Sequence, residues 1–400
     1  MRRLVPLLFC ACTPTDAPAT APEEVVPAPV VVTERATAAP AIVPRLAVHE
    51  WGTFTAVAGD DGVALEWRPL VGPSDLPTFV YDITKAGIRD LGANGKGDMT
   101  GTMRMETPVI YFYATEPIDV SVAVGFPSGS ITEWYPKAKS IGSHGIDWGT
   151  VRILPDEDVV LPQDRSDSHY YPARKADADV VRVCDAAGAE HEGFLFYRGV
   201  GGGALQLAVT LDGDRMSLRD RGATPLREAI VFENREGAIG IATIDPKSGE
   251  RFARPALDDT LEAAIDLVEA RLLDSGLRPA EVDAMIETWR GDWFEPGLRV
   301  IYLLPRAETD AMLPLAMMPP PQELVRTMVG RIEVITPELE QSIAETLWRI
   351  DRPGHEYSTV VELADQSRFV EPVLERLLAK ATTPRERKRL TAVLELTRTR

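Results

Sequence analysis

The sequence predicts an α+β protein, in which an N-terminal β-sandwich-like domain is followed by an α-rich domain with a small β element. Residues 45–256 consist of short aromatic or β-branched runs separated by Gly, Pro and Asp, which is typical of many short strands. Residues 257–400 carry apolar side chains mainly at helical spacing. The 400 residues are 44% hydrophobic and 26% charged, so the chain can bury a sizeable core, and two domains are expected.

Residues 1–12 have the layout of an export signal. Arg2 and Arg3 precede an apolar run, and small residues follow it. The stretch resembles a bacterial lipoprotein signal, in which cleavage occurs before a cysteine that then carries lipid. By that resemblance Cys12 is the lipidated residue and holds the protein to a membrane. The alternative is a secreted protein without a lipid, cleaved near residues 17–19.

Residues 13–44 are rich in Pro, Ala, Thr and Val and nearly lack aromatic residues. Such a composition cannot bury enough surface to offset the entropy of ordering, so this segment is expected to be a disordered tether. Together with the signal, the tether predicts an exported lipoprotein of the cell envelope, anchored at the outer membrane and facing the periplasm or the cell surface. The oligomeric state is not determined by the sequence.

The charge and the cysteines narrow the possible partners. A formal net charge of −18 argues against a nucleic acid, because binding phosphates calls for clustered Lys and Arg. If Cys10 is removed and Cys12 is lipidated, Cys184 has no partner for an intramolecular disulfide. Cys184 lies in a strand-like run, which favours a buried small apolar residue over a nucleophile.

Local sequence patterns predict a strand, a hairpin turn and a helix. Leu205, Leu207 and Val209 alternate along a strand, and Asp212-Gly213 supplies a hairpin turn. A helix is expected between a capping box at Asp259 and a stop at Gly276.

Further elements follow in the second half. The runs LRVIYLLP and VRTMVGRIEVIT predict two buried strands. Thr336-Pro337 and Thr383-Pro384 each combine an N-cap residue with a first-turn proline, so each is expected to open a helix. The final helices would pack as a cap on their own domain or bind a partner.

The stretch VHEWGTFT raises the possibility of a metal site. Successive side chains of a strand point to opposite faces, so His49 and Glu50 cannot bind one ion. A zincin-type HExxH motif would need a helix and a second histidine where Thr53 stands. Asp164, Asp167 and His169 could hold a cation, although Asp and Ser are equally typical of ordinary polar loops. We expect no metal and no cofactor.

Two other motifs lack the structural context that a dinucleotide site or a hydrolase would need. Gly199, Gly201 and Ala204 satisfy G-x-G-x-x-A, but a strand-like run follows them where a dinucleotide site needs a helix. This stretch is instead expected to be a flexible or bulged connection. Ser143 lies in G-S-H-G and not in the G-x-S-x-G turn of a hydrolase. The sequence identifies no catalytic residue and leaves open whether the protein is an enzyme.

Aromatic, acidic and basic residues of the β-rich part are the candidates for ligand binding. Adjacent Trp134 and Tyr135 would point to opposite faces, which would leave one of them off the core as part of a glycan or peptide platform. The alternative is a sandwich core with an aromatic rim. The candidate residues are His49, Glu50, Trp51, Glu106, Glu133, Trp134, Tyr135, His169, Tyr170, Arg174 and Arg198.

Several long motifs resemble one family. HEWGTFT, METPVIYFY, FPSGSITEWYP, HYYPAR, FLFYRGVG, GLRVIYLLPR and MVGRIEVITP together are similar to an uncharacterised family of exported bacterial proteins, several with lipoprotein-type signals. The resemblance spans Val48 to about Pro337. It implies no known activity, so no catalytic residue is carried over from it.

Two functions remain open after these observations. The first is a non-catalytic ligand-binding or structural role in an envelope lipoprotein. The alternative is an exported hydrolase of glycan or peptide, whose acid residues converge only in the folded protein. Its candidates are Glu50, Glu106, Glu133, Asp164 and His169. A cleft that gathers two of these carboxylates would favour the enzyme, and an exposed aromatic surface would favour binding.

Overall fold

The computed structural model describes residues 46–71, 74–84, 95–247, 249–349 and 356–398. The predicted signal peptide, its Cys12 and the predicted tether lie outside these ranges. Helix accounts for 28% and strand for 39% of the described residues, with a large sheet region followed by a helical C-terminal region. This composition agrees with the predicted α+β class.

The described residues form eighteen strands and seven α-helices. The strands are β1 Leu46–Ala58, β2 Tyr81–Asp82, β3 Met103–Ala114, β4 Ile118–Gly125, β5 Gly129–Tyr135, β6 Ser140–Gly142, β7 Gly145–Leu154, β8 Val180–Asp185, β9 Gly188–Glu192, β10 Leu195–Gly201, β11 Leu207–Asp212, β12 Arg215–Asp220, β13 Ala229–Arg235, β14 Ala238–Ile244, β15 Arg251–Ala253, β16 Gly297–Leu303, β17 Leu315–Met318 and β18 Glu323–Val334. The helices are α1 Leu261–Asp274, α2 Pro279–Trp293, α3 Arg306–Met312, α4 Pro337–Arg349, α5 Glu356–Gln366, α6 Val370–Lys380 and α7 Pro384–Arg398.

A nine-stranded sheet organises the molecule, with the strand order β14-β13-β16-β18-β1-β3-β10-β5-β2. At its centre β1 runs parallel to β18 and antiparallel to β3. All thirteen residues of β1 are buried, because both faces of the sheet are covered. The sheet therefore joins the first strand of the described chain to one of the last.

The two strands predicted after residue 257 are present, but their place differs from the expected small β element. β16 and β18 lie inside the nine-stranded sheet, between β13 and β1. The predicted boundary at residue 256 coincides with a change from strands to helices, while the sheet continues across it. Local patterning shows that a strand is buried, but it does not show which distant strand is its neighbour.

One face of the nine-stranded sheet packs against two smaller sheets. The six-stranded sheet has the order β17-β4-β7-β8-β9 with β6 beside β7, and the three-stranded sheet has the order β11-β12-β15. The shared core includes Phe54 of β1, Val122 of β4, Trp148 of β7 and Met216 of β12. We call this the first core.

The opposite face is covered by two groups of helices. Helices α1 and α2, with the 3₁₀ turn Tyr171–Lys175, enclose a second core that contains Trp51 and Trp289. Helices α4 to α7 enclose a third core, which reaches Val57 of β1 and Trp67. The C-terminal helices thus pack on their own chain.

This double covering corrects the expectation for Trp134 and Tyr135. The two side chains do point to opposite faces, but each is only 4% exposed. Trp134 belongs to the first core and Tyr135 to the second. The expectation that one ring would leave the core is wrong because it assumed a sheet with one covered face.

Most local signals agree with the structure. Leu207 and Val209 enter the first core, and the β11–β12 hairpin turns at Gly213, whose φ is +61°. Gly276, with φ +99°, follows the end of α1. The cap of α1 is Thr260, whose side chain accepts from the backbone of Ala263, and not the predicted Asp259.

The prediction that Cys184 is buried is also wrong. This residue lies in β8 as expected, but it is exposed and not buried. Val183 beside it points into the first core, so the alternation of the strand directs Cys184 outward. Among the described residues, no helix is both long and apolar enough to span a membrane.

Candidate functional site

Charged side chains occupy the sheet face between the second and third cores. Arg104 and Glu106 of β3 and Arg198 of β10 lie on this face, beside the end of α2 and the start of α6. Alternation along β3 places Arg104 and Glu106 on one side of the strand, while Met103 and Met105 enter the first core. The sheet therefore presents a polar strip between two apolar helical layers.

One chain of contacts crosses this strip. Arg368, just before α6, donates to Glu106 and to Asp292 in the last turn of α2, the latter at 2.9 Å. Glu106 is only 2% exposed. Asp292 also lies 3.9 Å from His169 Nδ1, whose ring nitrogen bonds the backbone oxygen of Thr288 at 2.7 Å. Two of the predicted candidates, Glu106 and His169, are thus linked through residues that the sequence did not single out.

Two more candidates lie on neighbouring strands. Arg198 is paired in register with Glu133 of β5. The guanidinium of Arg198 donates two hydrogen bonds to Asp75, at 2.7 and 2.9 Å. Burial tends to raise the pKa of Asp75, but the charge and hydrogen bonds of Arg198 hold it well below its usual value. Glu133 accepts from Lys96 at 2.8 Å, so both candidates are matched by opposite charge.

Arg104 is the exception within this strip. Its side chain is 17% exposed, and its nearest carboxylate oxygen, on Glu106, is 3.8 Å from Nε. Buried Nε has no hydrogen-bond partner among the described residues. Burial lowers the pKa of Arg104 most, Glu106 raises it, and the charges of Arg198 and Arg368 lower it further. A buried nitrogen without a hydrogen bond is costly, which marks Arg104 Nε as a donor that lacks an acceptor.

Arg104 lines a cavity of about 240 Å³, which we call the arginine cavity. Its other polar walls come from Trp67, Arg68, Ser367, Arg368 and Glu371, and its apolar walls include Val360 and Val370. The first turn of α6 contributes to the wall, so the positive end of that helix lies at the cavity.

Some hydrogen-bond donors of the arginine cavity have an acceptor within the protein, and others have none among the described residues. Glu371 accepts from Arg68 Nη1 at 2.6 Å and from Arg398 Nε at 2.8 Å. Trp67 is 4% exposed, and its Nε1 has no hydrogen-bond partner among the described residues. Because an indole and a guanidinium can only donate, the unmatched groups of this cavity require an acceptor.

Sequence reasoning missed the residues that extend the strip beneath the cavity. Thr55 of β1 is paired in register with Arg104 on one side and Arg331 on the other. Arg331 is fully buried and binds Glu295 and Glu333, at 2.6 and 3.0 Å. A usable signal was present: charged residues two apart within buried strand runs, Arg104 with Glu106 and Arg331 with Glu333, must share a face.

The structure places His49 and Glu50 on opposite faces of β1. His49 bonds Glu281 of α2 at 2.8 Å and Glu323 at 3.0 Å, beside the second core. Glu50 is fully buried toward the first core, where it accepts from Arg326 and from Tyr197. Both candidates are engaged within the protein, and neither contacts the strip.

The remaining candidates form part of the second core. Trp51 is fully buried and Tyr170 is 1% exposed. The Tyr170 hydroxyl donates to Glu192 at 2.8 Å, and Arg174 donates to the same carboxylate at 2.6 and 2.9 Å. These rings are therefore not an exposed platform, because α2 and the 3₁₀ turn cover them.

The polar loop that contains Asp164 and His169 is held by local hydrogen bonds. Asp164 accepts from the backbone of Thr78 at 2.7 Å and from the hydroxyl of Tyr171 at 2.8 Å. In the part of the chain that the structure describes, no group of three or more His, Cys, Asp or Glu residues is placed to hold a metal ion.

His49 predicts a pH dependence of stability. Burial tends to lower its pKa, but the hydrogen bonds and charge of Glu281 and the hydrogen bond of Glu323 outweigh burial and the charge of Arg278, so the pKa is raised. The protonated ring therefore contributes stability that is fully present below its unfolded pKa of about 6.5 and is lost as pH rises through the folded pKa.

Thermal unfolding of the wild type and of His49→Gln, measured between pH 6 and pH 9, checks this expectation. The advantage of the wild type over His49→Gln should shrink as pH rises. Parallel curves for the wild type and His49→Gln would contradict it.

Arg104 and Arg368 should respond differently to loss of charge. Arg368→Met leaves buried Glu106 without its nearest cation and should cost about 3 kcal/mol of unfolding free energy. Arg104→Met removes a guanidinium that makes no side-chain hydrogen bond with a described residue, and should change the unfolding free energy by less than about 1 kcal/mol or stabilise the protein. Thermal melts at low ionic strength compare the two variants, and an equal loss in both would refute the distinction.

The comparisons with known proteins add little to this geometry. No family model matches the chain, and no curated protein matches it. Among solved structures, the chain is similar to the Fcho1 Mu homology domain of Danio rerio with a bound Eps15 peptide, at 8% sequence identity and a TM-score of 0.25. That match covers 73% of this chain and 95% of the other. A likeness at this level carries no argument about fold or function.

Proposed function

We propose that the protein is an exported envelope lipoprotein with a non-catalytic role, and that its arginine cavity binds a small ligand through an anionic group. The observation that carries this proposal is Arg104, a mostly buried guanidinium that lines the cavity and whose Nε has no acceptor among the described residues. A buried donor without a partner costs free energy, which an acceptor on a ligand would recover. An anion is the partner that a guanidinium binds most strongly.

The walls of the cavity narrow the ligand class. Arg104 and Trp67 supply donors, while Val360, Ala364 and Val370 supply apolar contacts. A volume of about 240 Å³ limits the buried part of a ligand to a small group. A peptide ending in a free carboxylate with a small apolar side chain satisfies all three conditions. An acidic glycan offers the carboxylate but fewer apolar contacts.

The architecture suits an anchored binding protein. In this proposal the facing sheets form a β-sandwich-like part that carries Arg104, and the C-terminal helices form an α-rich part that closes the cavity through Arg368. Lipid on Cys12 and the tether of residues 13–44 would hold the cavity at a distance from the membrane.

We place the hydrolase alternative second. Its best support is the approach of Glu106 and Asp292 to one arginine, with His169 nearby. Burial tends to raise the pKa of Asp292, but the charges of Arg368, Arg331 and His169 lower it below its usual value. Such a carboxylate stays ionised and is a poor general acid near neutral pH.

Binding of a free carboxylate tests the proposed ligand class. We expect acetyl-Ala-Ala with a free C-terminus to bind the wild type in isothermal titration calorimetry, and its C-terminal amide to bind at least about tenfold more weakly. Arg104→Met should abolish the difference between the two probes. Inorganic phosphate should compete with the free peptide, because both present acceptor oxygens to Arg104.

Arg219→Gln, at an exposed arginine of β12, is the matched control and should leave the binding unchanged. Equal affinity for the acid and the amide, or binding insensitive to Arg104→Met, would contradict the proposal.

Lipidation is tested separately by intact mass spectrometry of the protein from its native membrane fraction. We expect a chain that begins at Cys12 and carries a diacyl or triacyl mass, which Cys12→Ala abolishes. An unmodified chain that begins at another residue would overturn the anchor and leave the cavity proposal standing.

A further inference from the structure

A second cavity lies on the same side of the nine-stranded sheet as the arginine cavity, at the C-terminal end of α1. Its volume is about 480 Å³, within the range of small-molecule sites. Strands β13, β16 and β18 form its floor, and the last turns of α1 form one wall. It shares no lining residue with the arginine cavity.

The interior of this cavity is hydrocarbon. Ile230 and Ile301 on the floor and Leu272 on the wall are each less than 5% exposed, and all three belong to the second core. Tyr302 contributes to the floor, but its side chain belongs to the first core on the other face of the sheet. A ligand buried here must therefore be largely apolar, because a polar group would lose its hydrogen bonds to water.

Charged residues surround the mouth. Arg271 donates to Glu228 and lies 3.8 Å from Asp274, so its guanidinium is already engaged by two carboxylates. Arg227 also lines the cavity, is exposed, and makes no ion pair with any described residue. An anionic group at the mouth would find its cation in Arg227.

We infer that this cavity binds a small amphipathic acid, with a hydrocarbon body inside and a carboxylate at Arg227. Medium-chain fatty acids belong to this class. The assignment is independent of the proposed function, because it rests on another cavity and on another arginine.

Decanoate and decanol are the probes that test the assignment by isothermal titration calorimetry. The wild type should bind decanoate more tightly than decanol by about threefold to fivefold, because an ion pair with an exposed arginine is screened by water. Arg227→Gln should remove that preference and leave the affinity for decanol unchanged. Arg215→Gln, at an exposed arginine of β12, should preserve the preference.

A variant that fills the cavity tests the location. Leu303→Trp projects a larger side chain from β16 into the space and should weaken both probes by at least about tenfold, provided its circular dichroism matches the wild type. If Leu303→Trp misfolds, the comparison of the wild type with Arg227→Gln tests the inference by itself. Failure of the wild type to bind either probe, a decanoate preference that survives Arg227→Gln, or undiminished binding in folded Leu303→Trp would overturn the inference. None of these results bears on acetyl-Ala-Ala binding at Arg104.

Discussion

The parallel pairing of β1 with β18 is the constraint on which the rest of the structure depends. It joins segments that are far apart in the chain: Glu50 and Arg326, its partner in register, are separated by 276 residues. Arg326 donates to Glu50, and Tyr197 of β10 donates to the same carboxylate. A slip by one residue would turn every side chain of β1 to the wrong face and leave a buried charge unmatched. The buried pair therefore specifies one register.

The register of β1 determines which side chains are neighbours in the polar strip. Once β1 is fixed, Thr55 lies between Arg331 and Arg104, and Glu106 comes beside the end of α2 and the start of α6. Most charges in the strip meet a partner within the protein, including Arg198 with Asp75 and Arg331 with Glu333. Arg104 approaches Glu106 only at 3.8 Å and makes no side-chain hydrogen bond with a described residue, and it lines a cavity between sheet and helices. Arg331 also leaves Nε and Nη1 without a partner among the described residues, but of these two arginines only Arg104 lines the cavity, and this position is the physical basis of the proposed function.

The sequence predicted the turns and helix ends that depend only on neighbouring residues. The hairpin turn at Gly213, the stop at Gly276 and the helices opened by Thr336 and Thr383 depend only on neighbouring residues, and each is found. The partner of β18 and the double covering of Trp134 and Tyr135 depend on distant segments, and no local pattern encodes them. The candidates Glu106, Arg198 and His169 lie near the strip. Arg104 and Asp292 were not among the candidates, because what distinguishes them is their surroundings in space.

A crystal soaked in selenate would show whether the arginine cavity binds an anion, because anomalous scattering locates the anion without reference to any activity. We expect an anomalous peak within hydrogen-bond distance of the Arg104 guanidinium, close to Trp67 Nε1, and its loss in crystals of Arg104→Met. A wild-type crystal with no peak in the arginine cavity, and with Arg104 hydrogen-bonded to a carboxylate of its own chain, would contradict it.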